Sequence, residues 1–312
     1  MRMRMVTNAP DFTLRQLAYF AAAARHGTIS GAAAELHVSP SALSDAITEL
    51  ERALGTSLCI RRRAHGLTVT TAGADVLSRA QELLVSADDL ATSLRGEAGE
   101  LVGPITIGCY PTLAPVVLPP LLADFGAAHP RVQLELVEAT QDVLASGMAR
   151  GEIDLAFVYD SFLPGHEKRA RLFADRAHVL LAANDPLAAR EVLRLEDLVD
   201  RDLILLDAPP STTHTLSLFS ARGLSPRIRH RTASFEAVRT LVARGLGYGI
   251  LVQRTANDRS YEGYQLVTRE ISPAVPAVGI DAVWPDAGPP PARVRALIEF
   301  AHSVNWPEEG RL

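Results

Sequence analysis

Two groups of polar residues in this chain have the types and spacing to contact a partner. The first is Ser30, Ser39, Pro40, Ser41, Ser44, Asp45, Thr48 and Arg52, followed closely by Arg61, Arg62 and Arg63. Hydroxyls and a carboxylate on one helix face can hydrogen-bond base edges, and consecutive guanidinium groups neutralise phosphates. The second is Tyr110, Thr112, Gln141, Tyr159, Ser211 and Thr212, each at the predicted carboxyl end of a strand. Open parallel sheets hold small ligands at such ends, beside helix N-termini with free N–H groups. Neither group is a catalytic set. The chain has no Gly-x-Ser-x-Gly elbow, Walker-type phosphate loop or His-Glu-x-x-His motif, and its nine histidines lack metal-ligand spacing. The residues predict binding rather than catalysis, with no cofactor and no metal.

The elements that must position the first group begin with Thr13-x-x-Gln16, a capping box. Behind it Leu14, Leu17, Phe20, Ala21 and Ala24 recur at helical spacing, and Gly27 closes the helix. A second short helix starts near Ser30, with Ala32, Ala33 and Ala34 small enough to admit a close neighbour. His37-Val38-Ser39-Pro40 then supplies a turn, a Ser cap and a Pro at the first helical position. The third helix buries Leu43, Ile47, Leu50 and Leu54 before Gly55. Two short helices joined by such a turn form a helix-turn-helix. Leu58–Ile60 and Leu67–Thr70 read as strands around the arginines, making a wing. From Asp75 to about Arg95 a long helix spaces Val76, Ala80, Leu83, Ala87, Leu90 and Leu94 as a heptad seam. Its narrow stripe suits a second copy of the chain, and a homodimer suits a two-fold DNA site. Gly96 to Gly103 is a hinge.

At this point Leu14-Arg-Gln-Leu17, Thr28-Ile-Ser-Gly-Ala-Ala-Ala-Glu-Leu-His-Val-Ser39, Ser41-Ala-Leu-Ser44 and Val69-Thr-Thr-Ala-Gly73 resemble the winged helix-turn-helix of LysR-type transcriptional regulators. The resemblance implies double-stranded DNA as partner and a homodimer that can assemble further into a homotetramer. It departs at Pro40 and Asp45, where such regulators often carry Gln and a basic residue, and at Cys59, where they usually carry Phe. Asp45 can accept from cytosine N4 but repels phosphates. Cys59 is read as a small core residue.

Beyond the hinge, strand-like and helix-like segments alternate, predicting an α/β fold with mainly parallel sheets. Gly245-Leu-Gly-Tyr-Gly249 is not a dinucleotide fingerprint, because it follows a helix and enters a strand. This half resembles the two-lobed, periplasmic-binding-protein-like effector domain of the same regulators. The expected organisation is a winged helix-turn-helix at 1–74, a linker helix and hinge at 75–100 and an effector domain at 101–312. Lobe one is 101–173 with 272–312, and lobe two is 174–271. The cleft hydroxyls suit a small polar or anionic effector, with Thr112 where the family's effector contacts often fall.

Charge agrees with this division. Residues 1–63 hold eight arginines against five acids, an excess of three positive charges in a chain of net −5. Aromatic residues are only 5%, too few for a single-strand stacking platform. The two cysteines suit a reducing compartment, and no apolar run resembles an export signal or a membrane span, so a cytoplasmic protein without membrane contact is expected. The competing reading is a solute-binding or prephenate-dehydratase-like protein on the same two-lobed scaffold. Neither needs residues 12–75, and the solute binder needs an export signal.

Overall fold

The computed structural model describes residues 10–62, 66–93, 100–160, 167–286 and 289–306. The chain divides into two compact units, one built mainly on residues 1–103 and the other on 104–285 with 296–312.

The N-terminal unit opens with α1 (Leu14–His26), whose capping box joins Thr13 and Gln16 and whose end is Gly27 in the left-handed conformation. Helix α2 (Ile29–Glu35) starts one residue before Ser30, because the Thr28 hydroxyl accepts from the Gly31 N–H and so sets the cap. Helix α3 (Pro40–Leu54) carries the expected Ser39 cap, first-turn proline and Gly55 terminator. The wing is β1 (Cys59–Arg62) against β2 (Gly66–Val69), antiparallel. Helix α4 (Thr71–Ser93) begins four residues earlier than the expected Asp75. Gly73 is the reason that turn can be helical and still pack: a Cβ there would lie 2.0 Å from the Leu58 carbonyl oxygen. Leu17, Phe20, Leu43, Ile47, Leu50, Leu58 and Ala80 form one core, with Val76, Leu77 and Leu84 of α4 packed on it.

The second unit comprises β3 (Gly103–Cys109), α5 (Ala114–Pro120), α6 (Gly126–Ala128), β4 (Val132–Glu138), α7 (Gln141–Ala149), β5 (Leu155–Tyr159), β6 (Glu167–Arg176) and β7 (His178–Ala182). It continues through β8 (Val192–Leu193), β9 (Asp202–Leu206), α8 (Ser211–Ser220), β10 (Arg227–Thr232), α9 (Phe235–Ala243), β11 (Gly249–Leu251), β12 (Leu266–Ile271), β13 (Ala277–Pro285) and α10 (Ala292–Ser303). Between α5 and α6 lies a π turn, Leu121–Phe125. It follows Pro119 and Pro120, which supply no N–H for the regular ladder.

One lobe is built on a five-stranded sheet ordered β4-β3-β5-β13-β6. The other holds a four-stranded sheet, β11-β7-β12-β8, and the parallel pair β9 and β10. The expectation of mainly parallel sheets is corrected here. β13 runs antiparallel to both β5 and β6, and β7 runs antiparallel to β11 and β12. The cause is the route of the chain. β6 leaves the first sheet and continues into β7 of the other lobe, while β12 leads back into β13. The returning strand therefore lies beside the departing one in the opposite sense.

Every side chain of β5 and of β7 is buried. Leu144, Met148, Ile153 and Val283 pack around β5, and Leu205, Phe219 and Tyr248 belong to the larger core of the second lobe. The glycine run ending α9 serves this packing. Gly247 has φ +157°, and a Cβ would stand 2.2 Å from the Asp202 carbonyl oxygen. That close approach lets the Tyr248 N–H donate to Asp202 and its carbonyl accept from the Ile204 N–H, at 2.9 and 2.8 Å.

Candidate DNA-binding face and effector cleft

Helix α3 separates its two faces sharply. Leu43, Ile47 and Leu50 are fully buried, whereas Ser39, Pro40, Ser41, Asp45, Thr48 and Arg52 are exposed and Ser44 is half-buried. Two of the hydroxyls already have backbone work. Ser39 Oγ accepts from the Ala42 N–H at 3.2 Å, and Thr48 Oγ1 donates to the Ser44 carbonyl at 2.9 Å. Ser41 Oγ meets Ser39 Oγ at 3.1 Å. Ser30 is exposed on α2. Arg61 and Arg62 continue β1, paired in register with Leu67 and Gly66, and Arg63 lies outside the described residues.

Three carboxylates that the sequence did not single out fix this unit. Glu49 accepts from Gln16 Nε2 at 3.2 Å, tying α3 to α1. Glu35 bonds both His26 and Arg25, and the His26 bond foremost holds its carboxyl below the usual range. Glu51 Oε1 accepts the backbone N–H groups of Leu58 and Cys59, at 2.8 and 3.2 Å, so α3 carries the wing's first strand directly. Cys59 lies in the core of the unit.

In the second unit, five of the six expected residues converge. The Thr112 hydroxyl is 2.7 Å from the Tyr159 hydroxyl, so it is engaged within its own lobe rather than standing free. Gln141 Nε2 donates to the Tyr159 carbonyl at 3.0 Å. The Tyr110 and Tyr159 rings meet edge to face, with centroids 5.4 Å apart. Across to the other lobe, the Tyr110 hydroxyl donates to the Ala208 carbonyl at 3.0 Å and lies 3.4 Å from Ser211 Oγ. Burial pushes both phenols up, with the Ser211 and Thr112 hydrogen bonds opposing it at Tyr110 and Tyr159 respectively. Thr212 is the exception. Its hydroxyl turns back to the Leu206 carbonyl and the Asp207 carboxylate, at 3.3 and 3.2 Å.

Thr140 stands at the head of α7 but gives it no side-chain cap. Its hydroxyl serves Asp142 instead, and that bond foremost lowers the Asp142 carboxyl. Three further polar residues border the cluster from positions the strand-end rule does not reach. Gln253 is buried beside the Tyr159 hydroxyl, and His214 and Asp160 interact across the lobes. Burial holds the His214 imidazole below its ordinary value, with Asp160 opposing. Asp160 itself is bonded by Arg171, which also bonds the buried Asp281. Cys109 is buried, and desolvation foremost, then the charge of Glu138, pushes its thiol up, which suits packing and not redox chemistry.

Among the described residues no cluster of His, Cys, Asp and Glu could hold a metal, and no helix is long and apolar enough to cross a membrane. What the arrangement can do is bind. It presents an exposed polar helix beside a wing in one unit and a buried hydroxyl-amide cluster between lobes in the other.

Comparison with known proteins agrees over nearly the whole chain. Residues 14–74 match the bacterial regulatory helix-turn-helix family of LysR type, and residues 98–306 match the LysR substrate binding domain. The transcriptional regulator CfxR of Cupriavidus necator is 31% identical over 278 residues, 87% of this chain and 84% of that protein. The crystal structure of HinK, a LysR family regulator from Pseudomonas aeruginosa, is 32% identical with a TM-score of 0.63, covering 93% of this chain and 98% of that one. The C-terminal domain of a probable LysR family regulator from Rhodococcus sp. RHA1 is 38% identical, with a TM-score of 0.64, covering 65% of this chain and all of that one. The helix-turn-helix match sets aside the solute-binder and dehydratase readings, neither of which uses such a module. With a DNA-binding domain at one end and an effector-binding domain behind it, this chain belongs to the LysR family of transcriptional regulators and is not an enzyme.

Proposed function

We propose that this regulator reads a two-fold operator through α3 and the β1–β2 wing, and that a small effector bound between the lobes biases the DNA-bound dimer. The observation that carries the effector reading is the cluster of Tyr110, Thr112, Gln141 and Tyr159 facing Ser211 and Gln253 of the other lobe. A ligand seated there touches both lobes, so its affinity differs between lobe arrangements, which is what coupling requires. The working division is a DNA-binding domain at 1–74, a linker helix and hinge at 75–100 and an effector domain at 101–312.

Dimerisation through the linker helix is supported by Leu83 and Leu90, which are 48% and 65% exposed in the single chain. Val76 and Ala80 of the same heptad pattern are spent on the module's own core. The seam available to a partner helix therefore begins at Leu83. A tetramer assembled from such dimers is the further state the family allows.

The wing is tested by Arg61→Ala combined with Arg62→Ala. Loss of two phosphate contacts weakens binding to all duplexes alike and lowers the salt slope by about one per contact. Fluorescence anisotropy at several salt concentrations, on a specific and an unrelated duplex, reads both effects. Weakening confined to one sequence, or none, removes the wing from the phosphate backbone.

A further inference from the structure

We propose that the site between the lobes takes an uncharged ligand carrying both a hydrogen-bond donor and an acceptor, such as a carboxamide, in preference to a carboxylate. This deepens the effector reading above and rests on it.

The described arginines near the cluster are already paired inside the protein. Arg171 is held by Asp160 and the buried Asp281. Arg231 meets Asp207 at 3.3 Å, and Arg254 meets Glu270 and Asp175 at 2.8 and 3.4 Å. Drawing Arg171 away to meet a ligand strands Asp281, which is 1% exposed. Among the described residues, a carboxylate entering here loses its water without gaining a free cation.

One helix N-terminus near the cluster already holds a carboxylate. Asp142 lies in the first turn of α7, where the Thr140 hydroxyl and backbone N–H groups hold its carboxyl low. In α8 the Thr212 N–H is bonded to the Ala208 carbonyl at 3.3 Å. An incoming anion would have to compete with Asp142 at the head of α7.

What the cluster does offer is neutral. The Thr112 and Tyr159 hydroxyls, the Tyr110 phenol and Ser211 both donate and accept. Gln253 is 5% exposed, yet its Nε2 has no partner at hydrogen-bond distance, although the amide stands near enough to favour the ionised form of Tyr159. The buried Nε2 of His214 has none either, and burial disfavours a positive charge on that ring. Both belong to the lobe opposite Tyr159 and Asp160. Buried polar atoms left without partners are costly, so a ligand that supplies an acceptor to one and a hydrogen-bonding group to the other is selected. A carboxamide supplies both without charge.

The test is calorimetry and thermal shift on the full chain at neutral pH with matched probes: acetamide and acetate, benzamide and benzoate, nicotinamide and nicotinate. At least one amide should bind ten times or more tighter than its acid, and Gln253→Met should weaken that amide at least tenfold. Should Gln253→Met not fold, Gln253→Glu serves, losing the amide and admitting benzamidine. An acid that binds as well as or better than its amide, with that binding lost in the Gln253 variant, overturns the uncharged assignment and leaves the cleft reading standing. Amide binding indifferent to both Gln253→Met and Thr112→Val places the ligand elsewhere and overturns the cleft reading too. No binding by any amide at millimolar concentration overturns the proposal.

Discussion

Replacing Leu83 and Leu90 together by Glu separates the protein into monomers and weakens operator binding by about 10²–10⁴-fold. The fold itself should survive. Leu83 is half-exposed and Leu90 mostly exposed in the single chain, so the new carboxylates can reach water there. Paired with a second copy, the same positions put like charges into an apolar seam, which a coiled coil does not tolerate. Two half-sites held by one dimer bind with an effective concentration that a monomer lacks, and that factor is what disappears. Sedimentation equilibrium gives the oligomeric state and a gel shift gives the affinity. A wild-type protein that sediments as a monomer, or a variant that remains dimeric, contradicts the seam.

Removing the Arg171 guanidinium, as in Arg171→Met, should destabilise the effector domain by about 2–3 kcal/mol. Breaking a fully buried pair by deleting one partner costs about 3–5 kcal/mol. Arg171 is half-exposed, so water compensates part of that loss. The remainder arises because Asp281 stays buried in β13, bonded by nothing of opposite charge on that side. The arginine also lies over Gly279, whose missing Cβ makes room for it. Adding Asp281→Asn to the Arg171 variant removes the stranded charge and should restore most of the stability. Urea unfolding of the single and double variants measures both. Equal stability of Arg171→Met and wild type shows that the pair contributes nothing.

The N-terminal unit was legible because each element carries its own local signal. Thr13 with Gln16, Ser39 with Pro40, and Gly27 and Gly55 mark helix ends by cap chemistry, independent of distant residues. The start of α4 is hidden because Thr71 and Gly73 have poor helix propensity, and the reason for glycine there is a contact with Leu58, fifteen positions away. Strands β6 and β10 carry little signal in the sequence because both are edge strands with mostly charged or half-exposed residues, as in Glu167-Lys-Arg-Ala-Arg171 and Arg227-Ile-Arg-His-Arg231. The apolar run of β7 carries no period that separates strand from buried helix. At the cleft, Tyr110, Thr112, Gln141, Tyr159 and Ser211 follow from a rule about strand ends. Gln253 and His214 do not, because their place beside β5 depends on how the two lobes face one another.

The central claim, that a polar helix and a basic wing read duplex DNA as a two-fold unit, is tested most directly by footprinting the region upstream of the protein's own gene across a salt series. The predicted result is a discrete protected segment with two half-sites about 10 base pairs apart, or a multiple of that spacing. Its affinity should fall steeply between about 50 and 200 mM salt, as phosphate contacts release counterions. Uniform weak protection at every sequence, or a complex whose affinity ignores salt, contradicts the claim.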